Sequence, residues 1–220
     1  MSMTNVPKYS IKEEIANSIT HGVGIIFSIV ALTILLVYSI WNRSTVAIVG
    51  FSIYGICSIL LYASSTLYHS IQHEKIKRIF RVFDHSSIFL FIAGTYTPIT
   101  LIAMRGNWRV GILVSIWCIA TFGVLFKIYT YRNFEKYKFV SLGIYILMGW
   151  LVVIAIRPMI QMVPIGFLIW LLAGGLSYTF GTIFYAVKKI PYNHAIWHVF
   201  VLTGSVIHFL GIFRYLATKG

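Results

Sequence analysis

The chain has 220 residues, 59% apolar and only 10% charged, with a mean hydropathy of +0.85. Soluble domains average about 45–50% apolar and about 25% charged residues, so 18 basic and 5 acidic side chains cannot clothe a water-exposed surface of this length. The net charge of +13 lies in short clusters between long apolar runs, not in the contiguous basic patch of a nucleic-acid binder, which excludes that class. Cys57 and Cys118 fall inside apolar runs, without CxxC or zinc spacing, and read as small buried hydrophobes.

About 20 apolar residues in a helix span a bilayer core. That ruler places helices at 19–41, 46–69, 84–104, 110–130, 139–156, 165–187 and 194–216. The first apolar run is too long for a signal-peptide core and is not followed by a small-residue cleavage site, so it reads as a retained span. The breakers between spans are Trp41 to Ser44, the charged run Gln72 to Arg81, Arg105 to Asn107, Tyr131 to Lys138, Arg157 to Pro164, and Lys188 to Pro191. The expected organisation is one all-α integral membrane domain at 19–216, with an N-terminal tail at 1–18 and a short C-terminal tail at 217–220.

Lysine and arginine set the orientation. Lys8, Lys12, Lys75, Lys77, Arg78, Arg81, Lys127, Arg132, Lys136, Lys138, Lys188 and Lys189 lie on the N-terminal side. Arg43, Arg105, Arg109, Arg157, Arg214 and Lys219 lie on the other. Twelve against six predicts a multi-pass protein of the cell membrane with a cytoplasmic N-terminus and an external C-terminus. Trp41, Tyr68, Trp108, Tyr131 and Tyr192 fit interfacial anchors. Gly174, Gly175 and Gly181 fit close helix approach.

Polar residues at membrane depth are costly and mark function by default. Glu14, Asn17 and His21 at the start of the first helix, Ser65 and His69 at the end of the second, Asp84 and His85 opening the third, and His194 and His198 opening the seventh all reach one leaflet. The opposite leaflet receives only His208, which reads as a packing residue. His194 and His198, four apart, present both imidazoles on one helix face; alone, such a pair serves packing more often than metal. Ser65 and His69 share the same spacing.

Together, His69, His194 and His198 offer three imidazoles with an open fourth position, the pattern of a catalytic zinc. Asp84 then either takes a proton from water as general base or orients a ligand histidine. Ser65 positions that water or donates to a developing oxyanion. Glu14, Asn17 and His21 share a face; they either favour the helix macrodipole or hydrogen-bond the ligand histidines from behind. His73 sits in a solvated run, His85 reads as interfacial, and Gly94-Thr95-Tyr96-Thr97-Pro98 predicts a kink or unwinding in the third helix. A bis-histidine haem competes, but the shared depth and nearby carboxylate favour zinc.

The run of motifs Glu14-x2-Asn17-x3-His21, Ser65-x3-His69, Asp84-His85, Gly94-Thr95-Tyr96-Thr97-Pro98 and His194-x3-His198 resembles the hemolysin III family, and in particular its Bacillus-type members. That family is the bacterial branch of the progestin and adipoQ receptor superfamily. The resemblance implies seven spans, a cytoplasmic N-terminus and a zinc near the cytoplasmic leaflet, held by His69, His194 and His198 with Asp84 and Ser65 beside it. It also implies three functional readings: hydrolysis of a lipid amide or ester, by likeness to ceramide hydrolysis; cytolysis of host membranes, from the family's name; or non-catalytic, receptor-like regulation of lipid homeostasis. A membrane lipid is the expected substrate or ligand, with neither nucleic acid nor a soluble protein partner.

Overall fold

The structure, a computed structural model, describes residues 9–218. Seven helices are long and apolar enough to cross a membrane: α1 (Ile11–Trp41), α2 (Thr45–Ser70), α3 (Glu74–Ala103), α4 (Gly106–Tyr129), α5 (Lys138–Met162), α6 (Ile165–Ala186) and α7 (Asn193–Ala217). Consecutive helices pack together and α7 returns to α1, closing the bundle. α3 is the most buried span and α5 the least.

Two helices begin well before the hydropathy ruler places them. α1 starts at Ile11, within the segment expected as a tail, because Ser10 and Glu13 form a capping box: Glu13 N–H donates to Ser10 Oγ (3.3 Å) and Ser10 N–H to Glu13 Oε2 (2.9 Å). α3 starts at Glu74, ten residues early, since its first turns are helical but amphipathic and carry Lys77 and Arg81 inward. Hydropathy marks the part of a helix that suits lipid; capping marks where the helix begins.

Two spans depart from α-helical geometry, one at its C-terminal end and one in its second half, and orphaned backbone groups in a span are expensive. α3 runs through Pro98 into a π-helical turn at Ile99–Ala103, and the hydroxyls of Thr97 and Thr100 donate to carbonyls one turn back. α5 passes through a 3-10 stretch at Leu151–Ala155. There Tyr96 of α3 donates to Gly149 C=O (3.0 Å) and accepts from Val152 N–H (2.9 Å), repairing the break from a neighbouring helix. The expected loop from Arg157 is instead helical to Met162; Pro158 is tolerated because first-turn N–H groups have no intrahelical partner.

Three sequence expectations need correction. Cys118 faces outward, because Ile112, Ile116, Ala120 and Gly123 take the buried face of α4. Tyr68 is no interfacial anchor: it is 1% exposed and packs on His69. His85 is buried, not interfacial, its Nδ1 close to Arg81 C=O (3.0 Å) and its ring against Phe134. His208 packs as expected, donating to Leu171 C=O (3.1 Å) across the bare face of Gly174.

The α2–α3 approach gives a stability test. A Cβ on Gly94 would lie 2.7 Å from Cys57 Cβ, an atom fixed to the α2 backbone. Gly94→Ala should cost about 1–3 kcal/mol by overpacking, read as a lower unfolding midpoint in detergent. Adding Cys57→Gly should recover most of the loss; no recovery would place the strain elsewhere.

Candidate metal centre

Four helices deliver polar groups to the end of the bundle where the described chain begins. On α2, Ser65 and His69 are one turn apart and both fully buried. On α7, His194 and His198 are likewise one turn apart and buried. One ligand atom from each of His69, His194 and His198 lies within 4.8 Å of the other two, close enough to share one metal ion.

The nitrogens divide into two classes. His69 Nδ1 lies 2.6 Å from Glu14 Oε2, so this nitrogen carries the proton, and the side-chain amide of Asn17 flanks it at 3.4 Å. His198 Nδ1 lies 3.2 Å from the backbone oxygen of Asn17, which can only accept, so it too is protonated; the Thr20 hydroxyl is also at 3.2 Å. In both rings the lone pair is therefore left on Nε2. The Nε2 atoms of His69, His194 and His198 are all buried with no protein hydrogen-bond partner. Orphaned buried acceptors in such proximity are costly unless something fills the space between them. A metal ion fits that donor set, with neutral imidazoles oriented from behind by a carboxylate and a carbonyl.

Glu14 serves a second partner. Its Oε1 accepts from Lys77 Nζ at 2.8 Å, and the same ammonium donates to the carbonyls of Tyr68 (3.0 Å) and Ile71 (3.1 Å). All three lysine donors are used, at a site only 6% exposed. Lys77 thus neutralises the carboxylate and clamps the end of α2 that carries His69.

The remaining candidates take distinct places. His21 stacks on His198, ring centroids 3.5 Å apart, with neither of its nitrogens hydrogen-bonded. Asp84 is buried and its Oδ2 lies 3.1 Å from His85 Nδ1; the carboxylate bonded to a cluster histidine is Glu14. Ser65 Oγ is buried without a partner, one turn from His69 on the same helix face. His73 is exposed and apart from the cluster.

Sequence reasoning missed Lys77, Thr20 and Tyr9. Lys77 was read only as loop charge, yet its spacing of four and seven from Arg81 and Asp84 puts all three on one helix face. Tyr9 covers the cluster, its ring 5.8 Å from His69 and 5.3 Å from His194, and burial pushes its phenol above its ordinary pKa, so it stays neutral. No periodicity marks a tyrosine ahead of the first helix.

The Glu14–Lys77 pair is testable apart from any metal. Glu14→Gln leaves a buried ammonium uncompensated and should cost about 3–5 kcal/mol. Combining it with Lys77→Met should cost less than Glu14→Gln alone. Chemical unfolding of wild type, both single variants and the double variant reads the coupling; strictly additive losses would mean that the two charges do not interact.

The chain is similar to known proteins over nearly its whole length. The sequence pattern of a family described as "Haemolysin-III related" matches residues 9–209. The chain is 46% identical to Hemolysin-3 of Bacillus cereus, over 97% of this chain and 96% of that protein. It is 45% identical to a Hemolysin-3 homolog of Bacillus subtilis (strain 168), over 94% and 96%. It is also 32% identical to the human monocyte to macrophage differentiation factor, over 93% and 84%. With the family match covering nearly every described residue and the seven apolar helices in place, the chain belongs to the haemolysin-III-related family of multi-pass membrane proteins.

Proposed function

We propose that the chain is an intramembrane zinc-dependent hydrolase that cleaves an amide or ester bond of a membrane lipid. The observation that carries this reading is the meeting of three buried, partnerless imidazole Nε2 atoms, two of them with the Nδ1 proton fixed from behind. His69, His194 and His198 would hold the ion. Zinc so held supplies Lewis acidity and lowers the pKa of water toward about 7.

The chain's own residues do the rest. Asp84 takes the proton from the attacking water and returns it to the leaving nitrogen or oxygen. His85 steadies one of its oxygens at 3.1 Å, leaving the other to accept. Ser65, whose hydroxyl has no protein partner, donates to the oxyanion that develops on the carbonyl. Glu14 fixes the His69 ring, the Asn17 carbonyl fixes that of His198, and Lys77 pairs with Glu14. The twofold excess of basic residues on this side supports a site at the cytoplasmic leaflet, reached by a lipid laterally between helices.

Metal analysis of detergent-purified protein is the first test. Wild type should carry about one zinc per chain, and His69→Ala and His194→Ala should carry none. Asp84→Asn should keep the metal while release of fatty acid from ceramide-type vesicles falls by about 10²–10⁴-fold. Metal without turnover of any amide or ester lipid would make the chain a non-catalytic regulator. Absence of metal from wild type never exposed to chelator would sink the proposal.

The name Hemolysin-3 of two relatives favours one alternative, direct membrane lysis. All seven spans are committed to one bundle, leaving no long amphipathic element among the described residues to insert into a target. Lysis, if the chain causes it, should then follow from lipid turnover. Dye should stay inside ether-lipid liposomes, which have no amide or ester bond to cut; leakage from them would favour a pore.

A further inference from the structure

A second polar cavity, of about 280 Å³, opens beside the histidine cluster, its walls including Tyr68, Arg81, Glu135, Lys138, Lys188 and His194. Its cations are short of partners. Arg81, 6% exposed, rests its guanidinium on the Phe134 ring at 4.2 Å, donates one amino group to Glu135, and leaves its buried Nε–H without an acceptor. The ammonium of Lys138, 8% exposed, makes one long hydrogen bond, 3.4 Å to Tyr185 C=O. Lys188 Nζ stands 3.7 Å from Glu135 Oε2. Lys127, behind them, is buried with its ammonium 4.1 Å from the Phe134 ring centre.

Three basic side chains, Arg81, Lys138 and Lys188, therefore line the cavity around one carboxylate, Glu135. Glu135 is about half exposed, on the connection between α4 and α5. Burial pushes its carboxyl up, but the Arg81 hydrogen bond and charge, with Lys188 and Lys138, outweigh that and hold it below the usual carboxylate range. The neighbouring acids are occupied: Glu13, on the cavity wall, accepts from Ser10 N–H and Oγ–H, and Asp84 pairs with His85. The cavity thus has more positive charge than the protein neutralises, from Arg81 on its buried wall to the exposed Lys188 at its mouth.

We propose that this cavity binds a phosphate-type oxyanion on the headgroup of the lipid substrate, with Glu135 as the intrachain carboxylate that it displaces. A guanidinium group flanked by two ammonium groups matches a tetrahedral oxyanion in charge and hydrogen-bond donors. His194 belongs both to this wall and to the histidine cluster. A headgroup held at Arg81 therefore leaves the adjoining lipid linkage beside the cluster. The substrate role rests on the hydrolase reading; the binding does not.

The test uses the full chain in detergent and reads the thermal unfolding midpoint. Dihexanoyl phosphatidic acid should stabilise wild type saturably, and dihexanoyl glycerol, the same lipid without phosphate, should not. Arg81→Gln and Lys138→Gln should each weaken apparent affinity by about tenfold or more, while Glu135→Gln should strengthen it by about tenfold. That opposite sign separates a binding role from general loss of structure. Lys75→Gln, an exposed cation off the cavity wall, should change nothing.

Competition by inorganic phosphate would show that the oxyanion alone is read; stabilisation without competition would show that the acyl chains contribute. Stabilisation by inorganic phosphate but not by the lipid would overturn a lipid-borne ligand. Equal effects of the two lipids, or no gain in Glu135→Gln, would overturn the site. Binding with this mutational pattern but no turnover would refute only the hydrolase reading. Turnover of a phosphate-bearing amide or ester lipid that Arg81→Gln leaves unchanged would refute only the substrate role of the cavity.

Discussion

A carboxylate buried near the end of a membrane bundle must find positive charge and hydrogen-bond donors, and Glu14 finds them on two different helices. Its two oxygens bridge His69 Nδ1 on α2 and Lys77 Nζ on α3, tying three helices at one point. The tautomer of His69, the end of α2 and the inward first turns of α3 all depend on this bridge. Such an arrangement adds little net stability, because desolvating two charges offsets most of their attraction. What it gives is a single geometry, since any other register of α1 against α2 and α3 would strand a charge.

The rest of the bundle is built so that this end can be polar and the remainder apolar. Small residues let α1, α2 and α3 approach closely: a Cβ on Gly24 would strike the Tyr62 ring, and one on Gly55 the Leu32 side chain. The Tyr96 hydroxyl bridges the backbone break in α5, accepting from Val152 N–H and donating to Gly149 C=O, so that span can bend without stranding these groups. At the opposite end His208 is absorbed by a backbone carbonyl and a glycine, with no second imidazole beside it. The two ends hold the same residue type in different company, and company decides whether an imidazole is packing or chemistry.

The sequence makes the number of spans and the three convergent histidines legible, because apolar run length and i,i+4 spacing report directly on a helix and its faces. Helix starts were not legible, since Ser10 and Glu13 act through hydrogen bonds that hydropathy does not weigh. Asp84 drew attention as the acid nearest the histidines in depth, yet the carboxylate that touches one of them is Glu14, which depends on how α1 is rotated against α2. Lys77 and Arg81 were hidden for a different reason. A charged run before a span reads as solvated surface, and only tertiary packing shows that half of its faces turn inward. The misplaced Tyr68 has the same origin: an aromatic residue at a helix end is an anchor or a wall according to the side it faces.

The inward charges of α3 also bear on how the protein enters the membrane. Its first three turns carry Lys77, Arg81, Asp84 and His85, all buried against neighbours in the finished bundle. A helix with these groups partitions poorly into lipid alone, since each charge costs about 2.5–3.5 kcal/mol at the centre of a translocated helix and less toward its ends. Glu14 of α1 and the backbone carbonyls at the end of α2 are the partners that remove this cost for Lys77, and both precede α3 in the chain. The order of synthesis therefore matches the order of need: by the time α3 leaves the ribosome, the counter-charge that makes its start tolerable is already in the bilayer. For Arg81, by contrast, the partner is Glu135, which emerges only after α4. The partners that satisfy the buried start of α3 thus lie on both sides of it in the chain, from Glu14 to Glu135.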